Sequence, residues 1–146
     1  MKKMETKWVL GLIALFVVTS GIYLYFDLRD FLGLTTLSLT TAEKTWGTKE
    51  FSPERFKNGS KEERAAQTVS LIRSNRYVGN ELKAVTSELG PHDGYYNSDE
   101  IPVYSLPELN GAHWEMVFLP DDKGRVSRII IHKGCCYHGV LNIFFR

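Results

Sequence analysis

The chain has 146 residues, with 18 basic against 17 acidic side chains and a formal net charge of +1. That length holds one small domain and an accessory segment, and the near-neutral balance excludes the broad basic field of a nucleic-acid-binding surface. The two cysteines, Cys135 and Cys136, are neighbours, which excludes a disulfide framework, because a bridge between adjacent residues closes almost no loop.

The first element is apolar. Residues 8–26, WVLGLIALFVVTSGIYLYF, carry no charge. As a helix rising about 1.5 Å per residue they would span roughly 28 Å, close to the hydrocarbon thickness of a bilayer. Lys2, Lys3 and Lys7 precede the run, and Asp27, Arg29 and Asp30 follow it without a positive excess. The positive-inside rule puts residues 1–7 in the cytoplasm and the remainder outside, in the periplasm of a cell envelope. Trp8, Tyr23 and Tyr25 lie near the two ends, where interfacial aromatics are favoured. Val18-Thr19-Ser20 loosely resembles a cleavage site, but the apolar run continues through Ile22 to Phe26 beyond it. The expectation is an uncleaved, single-pass signal anchor in the cell membrane.

Residues 27–59 read as a juxtamembrane stalk or linker. Within them FLGLTTLSLTTA, residues 31–42, is charge-free and rich in Leu and Thr, which suits a stalk or a strand on the edge of the domain. Trp46, Phe51 and Phe56 then punctuate a polar stretch containing Pro53 and Gly59. Such aromatics are expected to pack a loop onto a core.

Residues 60–146 are expected to form the folded domain. Ser60-Lys61-Glu62-Glu63 is a capping box that starts a helix running to about Asn75. Ala65, Val69 and Ile72, widened by Ala66 and Leu71, give it one apolar stripe. A second, very short helix follows, with Asn80 as the expected N-cap and Leu82, Val85 and Leu89 as its buried face. Gly90 is placed for a left-handed stop, and Pro91 forbids continuation. Downstream the period becomes two. Residues 102–106 and 113–119 read as strands, the latter with Trp114, Met116 and Phe118 on one face. Pro120-Asp121-Asp122-Lys123-Gly124 reads as a turn into a strand over residues 125–132, and residues 140–145 as a further strand. The fold class is α+β: an N-terminal transmembrane helix, then two short helices packed on a three- to four-stranded antiparallel sheet.

Several of these segments carry a resemblance. The Arg64-containing helix ending in SLIRSNRYVGN, the helix with Val85 before Leu89-Gly90-Pro91, Tyr104-Ser105-Leu106 and the strand MVFLPDDKGRV follow one another in order. Over residues 56–132 the chain resembles the BamE/SmpA-type envelope domains and their beta-lactamase-inhibitor-like relatives. The resemblance implies a two-helix, three-stranded domain outside the cytoplasm that binds or scaffolds envelope proteins and has no catalytic residues.

Candidate chemistry is sparse. His132, Cys135, Cys136 and His138 have the donor types of a zinc site, but all four fall within seven residues, where strand geometry sends neighbours to opposite faces. His92-Asp93 reads as a polar turn after a helix stop, His113 as an exposed strand residue, and Asp121-Asp122 as a solvated hairpin turn. Phosphate-binding, metalloprotease and serine-hydrolase motifs are absent from the sequence. Tyr95 and Tyr96, on a loop from Gly90 to Ile101 that is long for its place, are the candidate protein-binding residues. The expected function is therefore that of a single-span envelope protein with an extracytoplasmic binding or scaffolding domain. It has no enzyme activity, cofactor or metal, and it is partnered by the membrane through residues 8–26 and by another envelope protein. Two other readings are a membrane-tethered metal or thiol enzyme using His132, Cys135, Cys136 and His138, and an inhibitor of a secreted enzyme.

Overall fold

The computed structural model describes residues 2–31 and 35–134, with side chains described for 9–26 and 35–134. The chain divides into two compact units, Met1–Leu34 and Thr35–Arg146. In the first, helix α1 covers Lys2–Phe31, and its window Val9–Phe26 is long and apolar enough to cross a membrane. Its large side chains, among them Leu10, Phe16, Val17 and Leu24, are exposed. Such an all-round apolar surface calls for a non-aqueous surrounding.

The second unit is α+β. Helices α2 (Leu39–Trp46), α3 (Pro53–Asn58), α4 (Lys61–Ser74) and α5 (Leu82–Leu89) precede strands β1 (Val103–Leu109), β2 (Ala112–Pro120) and β3 (Val126–Lys133). The strands form one antiparallel sheet in the order β1-β2-β3. A further strand expected over residues 140–145 lies outside the described residues. The segment expected as a stalk is largely folded: α2 buries Ala42 and α3 buries Phe56, both in the core. The folded unit therefore begins near Thr35, not at Ser60, because Ser38 caps α2 through its hydroxyl and Pro53 sits in the first turn of α3.

The core is built around five rings. Phe51, Phe56, Tyr104, Phe118 and Tyr77 contact one another in a closed circuit, with centroids 5.3 to 6.1 Å apart and tilted or edge-to-face planes. Arg64 lies over Phe56 and Tyr104, and Arg76 over Phe51 and Tyr77. The expected role of Phe51 and Phe56 in packing their segment onto the core is met. Lys49 N–H donates to the Ala66 carbonyl and Ser52 N–H to Gln67 Oε1, so the same segment is laced to α4.

The capping box of α4 is formed as expected, and Asn75 ends that helix in the left-handed conformation. At α5 the expectation of Asn80 as N-cap is corrected: Glu81 occupies that place without a side-chain bond. Asn80 instead gives its carbonyl to Val126 N–H, while Gly79 N–H donates to the Val126 carbonyl. The stop is as expected in residue type, with Gly90 at φ +85. Strand β1 runs three residues past its expected end, through Pro107 to Leu109. Asn110 and Gly111 then turn the chain with φ 55 and 72, the pairing that a tight two-residue hairpin requires.

Candidate functional site

Side chains alternate across the sheet. Tyr104, Leu106, Trp114, Met116, Phe118, Ile129 and Ile131 form the core face. The other face carries Val103, Val117 and Ile130, and the register crosses it with a polar row: Ser105 opposite Glu115, and Glu115 opposite His132. A charged residue in the middle of the otherwise apolar HWEMVFL strand was the visible signal for this row, and alternation assigned it to the face away from Trp114 and Met116.

His132 is 3% exposed. Its Nε2 lies 3.0 Å from Glu115 Oε2. With Glu115 a carboxylate, which only accepts, Nε2 is the donor of that bond. Nδ1 is buried and has no hydrogen-bond partner among the described residues. Glu115 is held between two glycines. A Cβ on Gly94 would meet Val103 Cγ1 at 2.5 Å and Glu115 Oε1 at 2.8 Å, and one on Gly134 would meet Glu115 Cδ at 3.1 Å. The Tyr96 ring stands edge-on to the imidazole, 4.8 Å between centroids.

The loop after α5 lies against this row and is pinned at its base. Asp93 N–H and Gly94 N–H both donate to the Val103 carbonyl, at 3.1 and 3.0 Å. Asp93 Oδ1 accepts from Ser105 N–H at 2.8 Å, and Asp93 Oδ2 pairs with Arg64 at 2.8 Å. His92 Nδ1 is near the Gly94 carbonyl, so Asp93 does not orient His92 as an acid would orient a base. The Tyr104 hydroxyl donates to the Gly90 carbonyl, and burial pushes its phenol above the ordinary value. A tight turn at Asn97, φ 56, with Ser98 N–H donating to the Tyr96 carbonyl, separates the two tyrosines' surroundings from the next segment. Tyr96 is half-buried, whereas Tyr95 is 47% exposed, the larger of two exposed bulky apolar side chains, with Val78, among the described residues of this unit. Of the other residues considered, His113 is exposed beside Glu108, and Asp121 binds the amides of Lys123 and Arg125 within its turn. Cys135, Cys136 and His138 lie outside the described residues, among which no group of three or more His, Cys, Asp or Glu could hold a metal ion.

An open groove of about 760 Å³ lies elsewhere, lined by Thr48, Glu50, Phe51, Ser70, Ser74 and Arg76. Its guanidinium is committed to Glu88 and to the Phe51 and Tyr77 rings. The buried hydroxyl of the adjacent residue, Tyr77, has no hydrogen-bond partner among the described residues. Burial first, and the neighbouring Glu88 carboxylate second, push that phenol up.

Both edges of the sheet are covered where the outward groups can be followed. On β1, Val103 O and Ser105 N are taken by the loop, and Pro107 offers no N–H. On β3, Leu37 N–H donates to Ile131 O, Lys133 N–H to Thr35 O, and Val126 is paired with Gly79 and Asn80. The Thr36–His132 bridge makes part of the expected stalk a brief edge pairing. No family model, curated protein or solved structure matches this chain.

Proposed function

We propose that the chain is a single-span membrane protein of the cell envelope whose folded unit binds or scaffolds another envelope protein on the extracytoplasmic side. The observation that carries this reading is Tyr95. It is a large amphipathic side chain left half-exposed on a loop whose base is fixed by Arg64, Ser105 and Val103. A pinned loop loses little freedom on association, and tyrosine gives contact area with a polar tip. The apolar helix Val9–Phe26 supports tethering, and Lys2, Lys3 and Lys7 ahead of it favour a cytoplasmic N-terminus. Helices α4 and α5 directly before a three-stranded meander also support the resemblance to a BamE/SmpA-type scaffold, with α2 and α3 added ahead of them.

The test is a photo-crosslinking residue at Tyr95 in native membranes, with a second at Ser74 in the groove. One dominant protein adduct from Tyr95 is expected. Adducts from Ser74 alone would move the surface to the groove, and none from either position would refute the binding role. A C-terminal reporter active only in the cytoplasm would refute the orientation.

A further inference from the structure

We infer that the groove beside the C-terminal half of α4 receives an arginine side chain of a partner protein. This surface is separate from Tyr95 and goes beyond the Tyr95 reading. Its lining comes from two places. The segment between α2 and α3 brings Thr48, Glu50 and Phe51, while α4 brings Ser70 and Ser74, with Arg76 just past its end. Ser70 and Ser74 stand four residues apart on the helix and so share a face. The segment opposite is tied down. Lys49 N–H donates to the Ala66 carbonyl at 2.7 Å, Ser52 N–H donates to Gln67 Oε1 at 2.9 Å, and the Glu50 carbonyl accepts from Arg55 at 3.2 Å. A groove held in place this way loses little freedom when it is filled.

Charge decides the occupant. Of the two ionisable side chains in the lining, the Arg76 guanidinium is already paired with Glu88 and lies over the Phe51 and Tyr77 rings. Arg73, on the last turn of α4, is taken by Glu43 through two bonds. The Glu50 carboxylate, by contrast, is exposed and has no partner among the described residues. Lys49 beside it is not part of the lining. Helix α4 ends at Ser74, so its carbonyl pole adds partial negative charge at the same place. The uncommitted charge of the groove is therefore negative, which attracts a cation and repels a carboxylate. Hydroxyls then select among cations. Those of Thr48 and Ser70 have no hydrogen-bond partner among the described residues. With the two Glu50 oxygens they supply acceptors for the five N–H groups of a guanidinium, a planar fork that a compact ammonium does not match. The half-buried Phe51 ring gives the methylene stem an apolar bed. A groove of about 760 Å³ also admits the residues flanking that arginine, which favours a protein segment over a free small cation.

The experiment uses the full chain in detergent with isotope-labelled backbone amides. The probes are the tripeptide acetyl-Gly-Arg-Gly-amide and its citrulline and glutamate counterparts; citrulline keeps the shape of arginine and lacks its charge. The arginine probe is expected to shift the amides of Thr48, Glu50, Phe51, Ser70 and Ser74, binding about 10-fold more tightly than the citrulline probe, and the glutamate probe is expected to shift none of them. Glu50→Gln is expected to weaken the arginine probe by about 2- to 5-fold at low ionic strength and to match the parent at high salt. A photo-crosslinking residue at Ser70 in native membranes is then expected to attach to another protein at, or next to, an arginine. Five results would each overturn the inference: no shift with the arginine probe, equal binding of the citrulline probe, shifts confined to residues outside the groove, a Glu50→Gln variant that binds like the parent at low salt, or a Ser70 adduct that is a second copy of this chain or lacks arginine. None of them touches the Tyr95 crosslink, so the two readings stand or fall separately.

Discussion

Asp93 is the residue on which the sheet edge and the binding loop both depend, and its replacement gives a graded outcome. The carboxylate makes two bonds, one to the Arg64 guanidinium and one to Ser105 N–H, each at 2.8 Å. The Arg64 side chain is 15% exposed and that of Asp93 42%. A pair so placed contributes about 0.5–1 kcal/mol, because solvent still screens one partner. The Ser105 bond contributes about 1 kcal/mol. Asp93→Ala removes both and is expected to cost about 1.5–2 kcal/mol, or roughly 10 °C in Tm for a unit of this size. Asp93→Asn keeps an oxygen for Ser105 and loses only the charge, so its cost is about 0.5–1 kcal/mol.

The assay is thermal unfolding of the full chain in detergent, followed by near-ultraviolet circular dichroism from the ring circuit around Phe56 and Tyr104. Salt separates the two contributions. The Asn variant is expected to approach the parent at high ionic strength, where the ion pair is screened, while the Ala variant retains its deficit. Equal losses for Ala and Asn would refute the reasoning, since the edge amide of Ser105 would then contribute nothing.

Three further outcomes follow from local geometry. Gly94→Ala forces a Cβ to within 2.5 Å of Val103 and 2.8 Å of Glu115. It is expected to cost about 1–3 kcal/mol by chemical denaturation, with Gly134→Ala, whose nearest atom is 3.1 Å away, costing less. Ser60→Ala removes the acceptor for Glu63 N–H and is expected to cost about 1 kcal/mol, with faster amide exchange confined to the first turn of α4. The amides of Arg125 and Lys123 hold the Asp121 carboxyl below its ordinary 3.8. A lowered folded-state value means this contribution is complete above pH 3.8 and is lost as pH falls through the folded value. The Tm difference between the parent and Asp121→Ala is therefore expected to be flat at neutral pH and to close in acid.

Much of the fold was legible because its signals are local. The Ser60 box, the Gly90-Pro91 stop and the alternation of Trp114, Met116 and Phe118 are each written within a few residues. The departures came from long-range effects. Residues 39–58 read as linker because α2 and α3 are only 8 and 6 residues long, too short to be stable alone, and gain their stability from burying Ala42 and Phe56. Asn80 looked like a cap until its carbonyl found Val126 across the fold. Pro107 lies past the expected strand end at Leu106, yet inside β1. It is tolerated because it sits on an edge strand beside a register shift. The polar row was half-legible: Glu115 announced itself by charge, but its pairing with His132 depends on β2–β3 register, which the turn and the hydrophobic pattern set only jointly.

The covered stretches of the two sheet edges bear on the proposed binding role. A strand adding to β1 at Val103–Ser105 or to the ends of β3 would displace Asp93, Thr35–Leu37 or Asn80, so the binding proposed above runs through side chains. Tyr95 and Tyr96 divide that task, because one is half-exposed while its neighbour packs on His132.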